Sequence, residues 1–284
     1  MTLVYLNVEE NYFNNFHYER FPAKTQYEIA RFKSKLITAI LYSSGKLVVQ
    51  GSDAALEQFK KENQTLNLQF KKEKNQPSQV LFPESNEYIG SDETLKGDTF
   101  GGLVVVAAYF KKEEYSILKR LGVVDSKKLS DDKILGIAEI LLNEYFDRFV
   151  IIELKPEEYN EIILTKSITQ LLNDLHSRSG QKLKKKHPSA VHIVDQYPGC
   201  NCGDFMIQKA ESYSLAVAAA SIVARHVGLK QFERLSINAG FRIPKGSTHV
   251  INALEELNER KLSFKQFVKL HFKNVQKELK QDFL

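Results

Sequence analysis

The chain has 284 residues, of which 43% are hydrophobic and 26% charged. That balance supplies a sizeable core and excludes a wholly disordered protein. No apolar run approaches the length of about 18 residues that a spanning helix needs, so neither a transmembrane segment nor a membrane partner is expected. The net charge of +5, from 40 basic and 35 acidic residues, permits an anionic partner without requiring one.

Met1-Thr2-Leu3-Val4-Tyr5 lacks the basic and long apolar stretches of a secretory leader, so a cytoplasmic location is expected. Residues 1–70 read as a small separate unit. Strands are predicted at 2–8, 27–33, 35–41 and 46–50, with Ser43-Ser44-Gly45 as a turn. The aromatic-rich stretch 9–21 is predicted to be helical. Ser52 or Asp53 caps a second helix running to about Lys61. The outcome is a curved antiparallel sheet with one or two helices. The polar, Lys/Gln/Asn-rich segment that follows contains Pro77 and Pro83 and serves as a linker, placed at 71–86.

A larger α/β unit spans 87–284. Tyr88-Ile89-Gly90-Ser91-Asp92-Glu93 leads through a glycine-rich turn into Leu103-Val104-Val105-Val106-Ala107-Ala108, a pair of buried strands in a hairpin. Neighbours on a strand point to opposite faces, so Asp92 and Glu93 share one site only if the strand ends or kinks there. Helices are predicted at 113–121, from a Ser130 cap to about 146, from Pro156, at 168–178, at 212–233, at 250–260 and at 263–277. Further strands are predicted at 148–154 and at 190–195. Residues 180–188 form a loop carrying Lys182, Lys184, Lys185, Lys186 and His187. A second basic cluster is Lys71, Lys72 and Lys74. Each cluster reads equally as a phosphate contact or a solvated face. The C-x-C pair Cys200 and Cys202 reads as two reduced thiols, lacking the further ligands of a zinc site.

Three acidic positions stand at the ends of elements. Asp92 ends one strand, Asp195 ends another, and Glu211 opens the long helix. If the two strands are neighbours, their carboxyl ends converge. Hard oxygen ligands of this kind suit Mg²⁺ or Mn²⁺, and two ions about 4 Å apart support in-line attack on a phosphodiester. Taken singly, each acid has an ordinary alternative: a solvated turn, a turn cap, or an acid favoured at a helix N-terminus.

Ile89-Gly90-Ser91-Asp92-Glu93 with Gly97-Asp98 and Phe100-Gly101, Asp125-Ser126-Lys127-Lys128-Leu129, Ile193-Val194-Asp195-Gln196, and Lys209-Ala210-Glu211-Ser212 before the alanine-rich helix together resemble type 2 ribonucleases H. Glutamate at Glu211, and the N-terminal Leu36-Ile37-Thr38 and Tyr42-Ser43-Ser44-Gly45-Lys46, resemble ribonuclease HIII and its TATA-binding-protein-like domain. The resemblance implies a ribonuclease H-like catalytic domain of mixed sheet and helices, preceded by an α+β substrate-binding domain. It implies a monomeric endonuclease that cuts the RNA strand of RNA–DNA hybrids, leaving 5′-phosphate and 3′-hydroxyl ends. Asp92, Glu93, Asp195 and Glu211 match the family's catalytic metal-binding carboxylates, which hold two ions. Leu95-Lys96-Gly97 stands where the family has a Gly-x-Gly tripeptide that reads the ribose 2′-hydroxyl. Ser126, Lys127 and Lys128 are candidates for phosphate contact, or for a structural loop that caps the next helix. A leucine at a positive-φ position is strained, and its side chain would obstruct a close sugar. Two alternatives follow: a non-catalytic or altered-specificity relative, suggested by Leu95, and cleavage at single ribonucleotides, disfavoured by Glu211 and the N-terminal unit.

Overall fold

Apolar and polar residues alternate along Glu28–Lys33, and that alternation pleats one sheet of the computed structural model with a single face turned inward. The structure describes residues 2–6, 8–15, 18–25, 27–63 and 83–281. The chain divides into two units, Met1–Val80 and Leu81–Leu284. In the first, β1 (Thr2–Tyr5), β2 (Glu19–Phe21), β3 (Glu28–Lys33), β4 (Ile37–Tyr42) and β5 (Leu47–Gly51) form an antiparallel sheet of order β1-β5-β4-β3-β2. Helix α1 (Asp53–Glu62) is capped by Ser52, whose hydroxyl accepts from the Ala55 N–H at 3.4 Å. Phe32, Leu41, Leu47, Val49, Leu56 and Phe59 are buried together between sheet and helix.

Among the described residues of 9–21, the expected α-helix is absent. A 3-10 turn at Glu10–Asn15 is followed by β2, because Glu19-Arg20-Phe21 pairs antiparallel with Arg31-Phe32-Lys33 and gains a ladder no isolated helix could offer. The first strand also stops at Tyr5. Of the linker expected at 71–86, only residues 83–86 lie among those described.

The second unit is built on a sheet of order β10-β9-β6-β7-β8. Its strands are β6 (Glu87–Thr94), β7 (Leu103–Lys111), β8 (Phe149–Leu154), β9 (Val191–Asp195) and β10 (Phe205–Ile207). The β6-β7-β8 pairs are antiparallel, whereas β9 runs parallel to both β6 and β10. The helices are α2 (Tyr115–Arg120), α3 (Asp131–Tyr145), α4 (Pro156–Ile163), α5 (Ile168–Lys184), α6 (Leu215–Ala239), α7 (Ile251–Glu259) and α8 (Lys273–Gln281). Helix α6 packs against β6 and β7, and α5 packs against β6, β7 and β8. At Gly90 a Cβ would fall 2.1 Å from the Val217 amide nitrogen, so strand and helix meet backbone to backbone there. The alanines at 216, 218, 219 and 220 are wholly buried and allow that approach. Among the described residues, no helix is long and apolar enough to cross a membrane.

Several boundaries differ from expectation. Helix α5 runs through Gly180 into the lysine-rich stretch expected to be a loop, putting Lys182 and Lys184 in its last turn. Lys184 pairs with Asp204, and the His187 ring stacks on Tyr109 at 3.5 Å. Strand β10 was not expected; it is short and its Phe205 and Met206 are exposed, so no alternation marks it. Residues 263–277 hold a 3-10 turn, an irregular stretch and only then α8.

Candidate active site

Asp92 and Glu93 do not sit at a kink. Both lie within regular β6, paired opposite Val106 and Val105, so they project from opposite faces near the strand's carboxyl end. Both nevertheless line one cavity of about 400 Å³, with Asp195, Ser126, Lys127 and Arg225. The parallel pairing of β6 with β9 brings Asp195 to the same end of the sheet. Glu211 does not open the long helix. It lies in a 3-10 turn, Ala210–Ser212, entered through Lys209 in left-handed geometry, while Ser214 caps α6. That turn brings Glu211 close enough to Asp195 for their charges to interact.

The electrostatics of these acids are uneven. Burial raises the Asp92 carboxyl to about 8, and the charges of Glu93 and Asp195 push the same way. Burial also raises Asp195 to about 6; Glu211 adds to the rise, while the Ala210 N–H, 2.9 Å from Asp195 Oδ1, opposes it. Burial works to raise Glu93 as well, but His176 and Lys96 outweigh it and hold that carboxyl below its ordinary value. Glu211 Oε1 accepts from Lys127 Nζ at 2.9 Å, while Oε2 is buried without a hydrogen-bond partner.

An orphaned carboxylate oxygen beside acids that raise one another's proton affinity is a site short of positive charge. Four hard-oxygen side chains fit Mg²⁺ or Mn²⁺. The array is not drawn tight: among the described residues, no three His, Cys, Asp or Glu side chains already surround one point closely enough to hold an ion. Repulsion within the cluster, with Lys127 on Glu211, is a physical reason for that looseness.

The remaining expected residues divide. Leu95 has φ 68, the strained region anticipated for it. Its side chain is not among those that line the acidic cavity. It is buried and folded back over Gly228 and Gly101, where an added Cβ would meet Leu95 atoms at 3.2 and 3.1 Å. Gly97 is exposed, and a Cβ there would meet nothing within 4 Å, so its backbone is open to approach. Lys96 bonds Glu93 at 3.2 Å and lies 4.7 Å from the centre of the Tyr197 ring. Ser126 is buried, with its hydroxyl 2.8 Å from that of Ser221, and its carbonyl accepts from Arg225. Arg225 also pairs with Asp131 at 2.9 Å. Three residues around Glu93 escaped sequence reasoning as parts of a site: Ser91, His176 and His192. A lone histidine within an amphipathic helix or a buried strand gives no periodic signal.

A mixed sheet with acids at the ends of adjacent parallel strands, crossed by a small-residue helix, defines the second unit as a ribonuclease H-like domain. The family model described as ribonuclease HII matches residues 89–275. Ribonuclease HIII of Bacillus velezensis is 34% identical over 282 residues, covering 90% of this chain and 89% of that one. Ribonuclease HIII of Bacillus pumilus is 35% identical over 277 residues, covering 87% and 88%. The crystal structure of Bst-RNase HIII in complex with Mn²⁺ matches with a TM-score of 0.62 at 26% identity, over 99% of each chain. The chain belongs to the ribonuclease HIII family, within the type 2 ribonucleases H.

Proposed function

We propose that this protein is an endonuclease that hydrolyses the RNA strand of RNA–DNA hybrids, with two divalent cations, Mg²⁺ or Mn²⁺, leaving 5′-phosphate and 3′-hydroxyl ends. The observation that carries the reading is the rise of both Asp92 and Asp195 at one cavity, with an unpartnered Glu211 oxygen beside them. Asp92, Glu93, Asp195 and Glu211 would hold the ions. Bound there, the ions would supply the Lewis acidity that activates water and stabilises a leaving oxygen. A related protein crystallised with Mn²⁺ supports the choice of ion.

The chain's own groups do the rest. The Ala210 N–H fixes Asp195, and Lys96 with His176 fixes Glu93. Lys127 reaches the cavity on an exposed arm and can exchange Glu211 for a substrate phosphate. Ser126 anchors that loop from beneath. The open backbone at Gly97, next to Leu95 and Lys96, offers polar groups to the ribose 2′-hydroxyl, the feature that separates RNA from DNA. The N-terminal unit, a five-stranded antiparallel sheet with a helix, would act as the TATA-binding-protein-like grip on the hybrid. The protein would work as a monomer in the cytoplasm.

The test is a labelled RNA–DNA hybrid incubated with Mg²⁺ or Mn²⁺, with Asp92→Asn alongside. Wild type should cut the RNA strand to 5′-phosphate ends and the variant should not. Tight hybrid binding by wild type without cleavage in either ion would overturn the reading.

A further inference from the structure

Ser91 shares a strand face with Glu93, because alternate residues point the same way. It is wholly buried, as is His176 on α5, and His192 on β9 is only 4% exposed. His192 Nε2 lies 2.9 Å from Ser91 Oγ, and His176 Nδ1 lies 2.8 Å from the same oxygen. His176 Nε2 has no aligned hydrogen-bond partner and stands 3.3 Å from Glu93 Oε2. The fold makes room for this row deliberately placed in its core: at Gly180 on α5 a Cβ would fall 2.2 Å from the His192 ring.

The proton count fixes a direction. A serine hydroxyl has one proton, so it donates to one imidazole and accepts from the other. A neutral imidazole has one donor and one acceptor, and a carboxylate only accepts. If His176 turns Nε2–H toward Glu93, its Nδ1 accepts from Ser91. Ser91 then accepts from His192 Nε2–H. Burial keeps His192 neutral, its ring lowered to about 4. Each donor is used once, and all three point toward the acidic mouth.

We propose that His192, Ser91 and His176 are positioning residues, a one-way hydrogen-bonded row that holds the Glu93 carboxylate in the orientation a divalent cation requires. This rests on the reading of Glu93 as a metal ligand. Lys96 steadies the other oxygen, so Glu93 is held at both ends. Outer partners of this kind commonly alter metal affinity by about tenfold to a hundredfold when removed.

Nitrogen-15 NMR of the metal-free, full-length protein tests the row directly. Both rings should carry a proton at Nε2; His192 protonated at Nδ1 would overturn the assigned direction. Calorimetry with Mn²⁺ tests the consequence. His176→Phe keeps a planar ring without nitrogens and should weaken Mn²⁺ binding by about tenfold, with KM for hybrid unchanged at saturating Mn²⁺. His176→Gln, whose amide can still donate, should recover part of the loss. Ser91→Ala is the smaller change and guards against failure of the Phe variant to fold. It should weaken Mn²⁺ binding several-fold and let His176 populate both tautomers. Variants that bind Mn²⁺ like wild type, even if they melt lower, would reduce the row to core packing and overturn the proposal. A wild type that neither binds Mn²⁺ nor cuts hybrid would instead sink the nuclease reading, and the proposal with it.

Discussion

Lys127 Nζ donates to Glu211 Oε1 at 2.9 Å, joining a side chain 71% exposed to one that is 2% exposed. The ammonium therefore neutralises a buried acid from an exposed surface position, where a cation or a phosphate can compete for either partner. Pairs with so exposed a member contribute about 0–1 kcal/mol. Lys127→Met should tighten Mn²⁺ binding by up to about fivefold, because the competing charge is gone. The same variant should weaken hybrid binding and reduce its salt slope by about one. Calorimetry and salt-dependent binding check both, and changes of like sign would contradict the exchange.

Asp92 binds its proton more tightly in the folded protein than in the unfolded chain, since burial raises it to about 8. Its contribution to stability is complete below about pH 4, where both states are protonated, and is lost as pH rises toward 8. The metal-free protein should therefore melt at a lower temperature at pH 8 than at pH 5. Asp92→Asn should flatten that trend while lowering cleavage by about a thousandfold or more. Added Mn²⁺ should raise the wild-type melting temperature more at pH 8 than at pH 5, read by scanning calorimetry.

Leu95 combines a left-handed backbone with a buried side chain. Leu95→Gly would relieve about 1 kcal/mol of backbone strain and forfeit about 2–5 kcal/mol of packing over Gly228. Urea unfolding should show net destabilisation of about 1–4 kcal/mol. The preference for RNA over DNA strands should not change, because the side chain faces the core. A sharper RNA preference in the glycine variant would show that leucine does obstruct the sugar.

Lys269 is wholly buried, donating to the carbonyls of Asp98 and Gly101 at 2.7 and 3.0 Å, close to the rings of Tyr159 and Phe272. Burial lowers it to about 7. Between about pH 7 and 10 the unfolded chain holds more protons than the folded one, so stability rises with pH across that window. Wild type should gain a few degrees in melting temperature over it. Lys269→Met should lose that dependence and loosen the turn at 98–101, visible as faster amide exchange there.

The core strands were readable because they obey periodic rules, whereas the acids stood out through motifs that resemble type 2 ribonucleases H. The β-branched runs of β6, β7 and β9 mark buried strands, and Ser52 and Ser130 stand as caps where hydroxyls are favoured. Strand ends carrying Asp92 and Asp195 converge once β6 and β9 pair in parallel. Other features depend on contacts between distant segments. Glu211 owes its place to a left-handed Lys209, which no pattern marks. Helix α5 passes through Gly180 because His192, on another element, fills the space above it. The inward fold of Leu95 depends on a glycine at 228, far along the chain.

The meeting of Gly90 with the Val217 amide carries an evolutionary consequence. Where two main chains touch, the gap between them is set by the van der Waals radii of backbone atoms rather than by a sum of side-chain volumes. Lineages can therefore exchange leucines for isoleucines throughout the interior while the interval between β6 and α6 stays calibrated. A residue larger than glycine at position 90 resets the ruler, so that locus should drift little.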